Sequence, residues 1–495
     1  MSEAVVHRTR SGGEVRKGLA LVVIALSQLM VVLDATIVNV ALKDIRDSLH
    51  FTSDSDLSWV VTGYTLTFGG FLLLGGKLAD RLGRRTIFIA GAVLFAAASL
   101  AGGFAQSQEL LIVARLVQGL GGALMSPSAL SLLTVIFEEG PERNKALGIF
   151  SAITAGGAAL GLILGGLLTE YLSWRFVLFV NVPVAALAIV GALRFVPESK
   201  DEDARGFDVL GAVLVTGGLI SLVYGLVKLN DTSVSAGTKT FTFVASAVLL
   251  AAFVVVQRRV AQPLLPFRLF RSRALLGADL SALLVGAGVF AMFFFITLWE
   301  QVINGYSPIT AGLSFLPMTV LIGVGAGISS NLLAKTGPRP LLAGGTGLAA
   351  VGMLLLGLRL EPGSSYVSVI LPSLVLVALG MGLAFVSLTS AAVAGVDKAD
   401  AGIASALLNA GQQVGGALGL AILTAVSSNR TAALFAGQPK GPQDVPRFYD
   451  ALVSGWSSGF VVAACFLVAA SVIALTLVKV SKEDAVAALK EAVPA

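Results

Sequence analysis

The chain has 495 residues, 56% of them hydrophobic and 13% charged, with a mean hydropathy of +0.89. That composition excludes an ordinary soluble domain and indicates a polytopic membrane protein. The net charge of +5 gathers in short loops suited to an anionic leaflet and comes with no base-stacking platform, so no nucleic-acid partner is expected.

At about 20 apolar residues per crossing, the sequence predicts an all-α protein of fourteen transmembrane helices. They fall at 19–42, 57–76, 87–105, 109–136, 146–169, 174–195 and 208–228 in the first part of the chain. The remainder are at 240–260, 275–299, 308–333, 339–359, 366–394, 402–428 and 456–479. The first run is longer than a signal-peptide core, carries Asp34 and has no small-residue cleavage site after it, so it is expected to remain in the mature protein. With both termini in the cytoplasm, 24 of the 34 Lys and Arg residues fall on the inner side and 9 on the outer, with Arg115 inside a span. The positive-inside rule favours that topology. Cys465 is the lone cysteine, lies in the last helix and reads as a small apolar side chain.

Asp34 interrupts the first apolar run, and a carboxylate at that depth usually marks an ion or substrate path. It sits about seven residues from the outer end of its helix, roughly 10 Å deep at 1.5 Å per residue. Arg115 enters the fourth helix from the same side to a matching depth. Burial pushes a carboxyl toward its protonated form and a nearby cation pushes it toward the ionised one, so Asp34 with Arg115 as a movable partner is a candidate proton and cation coupling site. A permanent structural ion pair is the other reading.

A shift of 254 residues aligns the chain with itself in two places. Leu78, Gly83 and Arg85 recur as Leu332, Gly337 and Arg339; Gly148, Ile149, Ser151, Ala152, Gly157, Gly161 and Gly165 recur as Gly402, Ile403, Ser405, Ala406, Gly411, Gly415 and Gly419. The expected organisation is an N-tail at 1–18, a six-helix bundle at 19–195, two inserted helices with their linkers at 196–273, a second six-helix bundle at 274–479 and a C-tail at 480–495. Such repeats are the usual basis of alternating access, with the substrate site between the halves.

The segment Gly76-Lys77-Leu78-Ala79-Asp80-Arg81-Leu82-Gly83-Arg84-Arg85 resembles the loop signature of the major facilitator superfamily. Arg115-Leu116-Val117-Gln118-Gly119-Leu120-Gly121-Gly122 is similar to its second motif. Gly157, Gly161, Gly165 and Gly166 have the spacing of its antiporter motif, with Leu162 where the family usually has proline. Leu33-Asp34-Ala35-Thr36-Ile37-Val38-Asn39-Val40-Ala41-Leu42 is similar to the fourteen-helix drug:proton antiporters, with Lys43 in place of their usual proline. Trp174-Arg175-Phe176, Asn181-Val182-Pro183, Gly305-Tyr306-Ser307-Pro308 and Ala311-Gly312 are further matches. The resemblance implies the major facilitator fold and proton-coupled export of drugs, antibiotics or metabolites across the plasma membrane, with no cofactor. Small molecules, protons and lipid are the expected partners of a monomer.

Other candidate roles follow from residue type and place. Gly76, Asp80, Arg81, Gly83, Arg84 and Arg85 are expected to form a conformational latch that closes the cytoplasmic side in one state, with Asp80 held by neighbouring arginines and by the end of a C-half helix. The glycines at 157, 161 and 165 fall every four residues on one helix face and suit close packing. Gln28, Asn39, Gln118, Asn409, Gln412 and Gln413 are polar groups at membrane depth that either line a cavity or bond neighbouring helices. Phe290 and Phe294 are candidates to stack on a flat cationic ligand. Asp279 and Glu300 are expected at helix ends, Glu300 in the solvated interface.

A primary pump is disfavoured because no complete phosphate-loop motif occurs. A membrane enzyme is disfavoured because the only histidines, His7 and His50, lie outside the spans, which leaves no His-based intramembrane metal site, and Asp34 has no second acid at its depth in the N half. An uncoupled exporter or facilitator of one metabolite, or a receptor on a transporter fold, remains as the alternative.

Overall fold

The computed structural model describes residues 16–138, 140–201, 206–229, 231, 233–394, 396–397, 400–435, 439 and 441–482. The tails expected at 1–18 and 480–495 therefore lie outside the described residues except for 16–18 and 480–482.

Among the described residues, fourteen helices are long and apolar enough to cross a membrane, and no strand occurs. They are α1 (Lys17–Val40), α2 (Asp54–Leu82), α3 (Arg84–Gly103), α4 (Gln108–Ile136), α5 (Pro141–Tyr171), α6 (Phe176–Phe195) and α7 (Val209–Val227). Then come α8 (Ala236–Arg259), α9 (Arg273–Ile303), α10 (Pro308–Thr336), α11 (Pro338–Arg359), α12 (Tyr366–Ala394), α13 (Ala401–Leu434) and α14 (Pro442–Leu477). Several starts are set by a side-chain cap: Ser107, Asp208, Ser235, Ser272 and Ser307 each accept the backbone N–H three residues on. The last helix starts fourteen residues before its predicted span, with a proline in its first turn, where the missing N–H costs nothing. An apolar run marks the hydrocarbon crossing, whereas the helix itself continues into water.

In the first half α1 packs on α5 and α6, and α4 lies between α2 and α3. In the second, α9 packs on α13 and α14, and α12 lies between α10 and α11. The pair α7–α8 packs on itself, with α7 leaning on α2 and α13. The two halves meet chiefly where α2 crosses α13 and α10 crosses α5, so the second helix of each half meets the fifth of the other. The two loop glycines of the repeat share a backbone: Gly83 has φ of 117° and Gly337 of 75°, values that favour glycine because they bring a Cβ against its own chain.

The end opposite the Gly76–Arg85 segment is sealed by polar contacts between the halves. Gln301 Nε2 donates to the Val40 carbonyl at 2.7 Å, Trp456 Nε1 to Asp54 at 2.8 Å, and the Ile309 N–H to Glu170 at 3.1 Å. Ser55 and Ser428 share a hydrogen bond of 3.1 Å, and Arg46 pairs with Asp54. Lys228 ties the inserted pair to this end through Asp56 at 2.6 Å and Asp231 at 3.1 Å. Burial pulls the Lys228 pKa down, but its bonds to the two carboxylates outweigh that and raise it. Hydrogen bonds from Ser233, then from Lys228, lower Asp231 to about 2.

Packing along α5 and α13 tightens toward this sealed end. Beside Gly148 and its repeat mate Gly402 there is open space, as beside Gly156. Further along, Gly161 and Gly165 lie against Leu33, Thr36 and Ile37 of α1, while Gly415 and Gly419 lie against Leu283 and Ala287 of α9. A methyl at Gly415 would collide with the Leu283 carbonyl, a backbone atom that cannot rotate away. Gly415→Ala is expected to destabilise by about 1–3 kcal/mol, the usual range for overpacking. Gly402→Ala should be tolerated. Thermal unfolding of the two variants in detergent checks the contrast.

Candidate functional site

Asp34 is carried on α1 and Arg115 on α4, two helices joined by no short loop, and the fold brings their side chains together at full burial. Asp34 is 0% exposed and Arg115 1%. Arg115 Nη1 donates to Asp34 Oδ2 at 2.6 Å. Gln118, one turn further along α4, donates from Nε2 to Asp34 Oδ1 at 2.6 Å and accepts Arg115 Nη1 at its own Oε1 at 2.7 Å. Asn181, in α6, donates to Asp34 Oδ1 at 2.7 Å. The carboxylate thus takes three donors from two helices, all N–H groups, an arrangement complementary to an ionised acid.

A second layer holds the arginine. Arg115 Nε donates to the Val60 carbonyl of α2 at 2.9 Å, and its guanidinium lies 4.5 Å from the Tyr64 ring centroid. Ser99 on α3 accepts the remaining Gln118 amide hydrogen at 2.9 Å. Five helices therefore share one polar network, and the amide orientation of Gln118 satisfies both of its charged partners. Such a pair is costly to break because each charge is left unpaired away from water.

Of the residues read from the sequence, Gln118 belongs to this network, whereas Asn181 had been noted only as part of the Asn181-Val182-Pro183 match and Ser99 and Tyr64 had not been singled out. Asn181 carried a signal of its own, an amide at membrane depth. Gln28 accepts from Ser126 at 3.2 Å, and the Asn39 amide bonds carbonyls of its own helix. Gln412 and Gln413 are half-buried; Gln413 lies against Gly69 of α2 where the halves meet, and Gln412 gives its backbone to the seam at Gly286. Asn409 is exposed and bonds the Ser405 carbonyl. Phe290 packs on Gly416, while Phe294 is fully buried edge-on to Phe295.

The C-half contact expected of Asp80 in one state is absent among the described residues in this conformation, and the place expected for Glu300 is corrected. Asp80 accepts Arg84 Nε at 3.0 Å and Ser131 at 3.4 Å, both from the N half, and no C-half residue among the described residues bonds its carboxylate in this conformation. The rest of the segment is held by the chain after α6: Arg85 donates to the Val196 carbonyl at 3.0 Å, Glu198 caps the Arg85 and Thr86 N–H groups, and Arg81 lies over the Phe207 ring. The expected C-half partner is out of reach while the opposite end is sealed. Glu300, in turn, is not in a solvated interface: it is 0% exposed, because α9 runs on to Ile303 and is covered by the start of α10. Asp279 is half-buried with both carboxylate oxygens covered by protein.

The sequence profile of the Major Facilitator Superfamily matches residues 24–420. The chain belongs to this superfamily. It is a multi-pass membrane transporter whose relatives include the puromycin resistance protein pur8 of Streptomyces alboniger, 42% identical over 92% of this chain and 90% of that one. The cephamycin export protein CmcT of Amycolatopsis lactamdurans is 38% identical over 92% and 91% of the two chains. Among solved structures, a bacterial homologue of the human lysosomal transporter Spinster, inward-facing and unoccupied, superposes with a TM-score of 0.64 at 18% identity, over 94% of this chain and 98% of that one. This likeness extends the superfamily fold over nearly the whole length.

Proposed function

We propose that the protein is a proton-coupled exporter of antibiotics or related amphiphilic small molecules in the plasma membrane, with both termini in the cytoplasm. The buried network of Asp34, Arg115, Gln118 and Asn181 carries the reading, since it is a titratable pair built between helices of one half. Relatives named for puromycin resistance and cephamycin export support the substrate class. The distribution of Lys and Arg supports the orientation, which puts the Gly76–Arg85 segment inside and the sealed end outside.

In this cycle the halves at 19–195 and 274–479 rock about the crossings of α2 with α13 and α10 with α5, as monomers in lipid. Gln413 sits where α13 meets the other half, and Gln412 and Phe290 where α13 meets α9, which suits them to the substrate path; Gln28 and Asn39 flank Asp34 on α1. Asp80, released from the C half here, latches the cytoplasmic side when the outside opens. Gly157, Gly161, Gly165 and Gly166 keep α5 close to α1 and α10 while this happens.

The test is collapse of a pH gradient in inside-out vesicles on adding members of a panel of antibiotics and dyes. At least one compound is expected to release protons from vesicles carrying the protein and not from empty ones; silence across the panel while binding persists would favour an uncoupled facilitator. The electrical signature follows from Asp34 acting as the single coupling acid. One proton entering down 100 mV releases about 2.3 kcal/mol, but exchange of one proton for one monovalent cation moves no net charge. Export of a monocation is therefore expected to ignore membrane potential, and potential-driven uptake into inside-out vesicles at zero pH gradient would contradict it.

A further inference from the structure

Glu300 stands outside the Asp34 network and outside every contact described for the sealed end. Its side chain is fully buried and both carboxylate oxygens lack a hydrogen-bond partner. The Ser314 hydroxyl beside it donates to the Ala311 carbonyl instead, at 2.7 Å. Glu300 lies in a π-helical turn, Trp299–Ile303, and wide turns of this kind are frequent at functional sites. A second π-helical turn, Tyr366–Ile370, lies alongside, with the Tyr366 hydroxyl committed to the Ser314 carbonyl.

The position is tied to the gate. The next residue, Gln301, donates to the Val40 carbonyl at the end of α1, one of the bonds that join the halves. Asp34 is six residues back along that helix, about 9 Å at 1.5 Å per residue. Opening the sealed end parts α9 from α1 and admits water beside Glu300. An ionised carboxylate with no cation and only the neighbouring Ser314 hydroxyl in reach is far costlier to bury than a neutral acid. The closed arrangement therefore takes the acid with its proton on, and the hydrated open arrangement takes it ionised.

We infer that Glu300 is a second proton-binding site, in the C half, which takes up its proton as the sealed end closes. This rests on the proposed transport cycle in one respect, that the pH outside is what the gate answers to. A proton that arrives from outside on closing and leaves to the outside on opening adds nothing to the coupling stoichiometry. Glu300 biases the gate, and Asp34 carries the exchange. One proton bound only in the closed form shifts the closed-to-open ratio by about tenfold per pH unit at most, toward open as pH rises.

Other titratable groups at this end need controls, Glu170 first because it accepts the Ile309 N–H between the halves. Asp231 is lowered to about 2 and Lys228 raised, so both keep their charge through the neutral range. On the short helix Leu42–Leu49 packed against α9, Lys43 pairs with Asp47 and Arg46 with Asp54. Burial raises the Asp44 carboxyl on that helix, which makes Asp44 a necessary control. His50, at its end, is another. Tyr306 and Tyr366 are the titratable neighbours from the C half, and Glu361 reaches the site only through its backbone carbonyl, which accepts Trp299 Nε1 at 3.1 Å.

The experiment measures the distance across the sealed end by spin labels at Ser48→Cys and Gln443→Cys in a Cys465→Ser background, with full-length protein in lipid nanodiscs and no substrate. The closed population is expected to fall as pH rises in the parent, to stay closed at all pH in Glu300→Gln, and to keep its pH response in Asp44→Asn, Glu170→Gln and His50→Gln. Glu300→Asp, which retains an acid, should keep a response and guards against misfolding of the amide variant. Glu300→Gln tracking the parent, a parent without pH response, or loss of the response in Asp44→Asn, Glu170→Gln or His50→Gln would each overturn the inference. Substrate-driven proton flux is read separately: its absence alongside an intact Glu300-dependent response would remove the exporter reading and leave the proton site standing.

Discussion

Asp34→Asn is expected to abolish substrate-driven proton release from inside-out vesicles while leaving the protein folded and able to bind substrate. The amide is nearly isosteric, and its carbonyl still accepts from one of the three donors now on the carboxylate. It cannot carry a proton on and off, and its NH2 group faces the N–H donors of Gln118 and Asn181 where an acceptor stood. Proton flux should fall at least tenfold, whereas substrate binding measured on purified protein should change much less. Loss of binding and flux together would assign Asp34 to the substrate itself. Undiminished flux would move the coupling elsewhere, with Asp279 the next acid to test because its carboxylate oxygens are also unpartnered.

The physical reason for singling out Asp34 was open to sequence reading, since an acid in a long apolar run announces itself. The count of spans and the relation between halves were also legible, because hydropathy sets crossing length and a constant offset of 254 marks the repeat. Partnership was not. That Asp34 meets Arg115 depends on how α1 and α4 rotate about their axes, which packing across five helices decides. Asn181 could be seen as a polar residue in an apolar helix, but its partner lies 147 residues away. Glu300 falls just outside a span ended at 299, where a charge reads as solvated; the chain instead runs on in a wider turn beneath the start of α10. Charge at the edge of an apolar run is ambiguous between water and core, and only the neighbouring helix resolves it. The missing Asp80 partner has another cause, for a latch between halves is a property of one conformation and a sequence does not say which.

Arg115→Gln tests the pair from its other side and should carry the largest stability loss of any single change at the site. Removing the guanidinium leaves Asp34 buried with two amide donors and no cation, a situation that costs about 3–5 kcal/mol when one partner of a buried pair is deleted. It also frees the Val60 carbonyl and removes the cation above the Tyr64 ring. Arg115→Lys should recover little, because an ammonium cannot span Asp34, Gln118 and Val60 at once as the planar guanidinium does. The decisive comparison is the double variant Asp34→Asn with Arg115→Gln, which removes both charges together. It is expected to unfold closer to the parent than Arg115→Gln alone, since no unpaired charge remains buried, while staying inactive in proton flux. Thermal unfolding of the four proteins in one detergent gives the coupling directly. Additive losses would mean that the two groups, though 2.6 Å apart in this conformation, do not hold each other energetically, and the switch would then have to be sought in the amides around them.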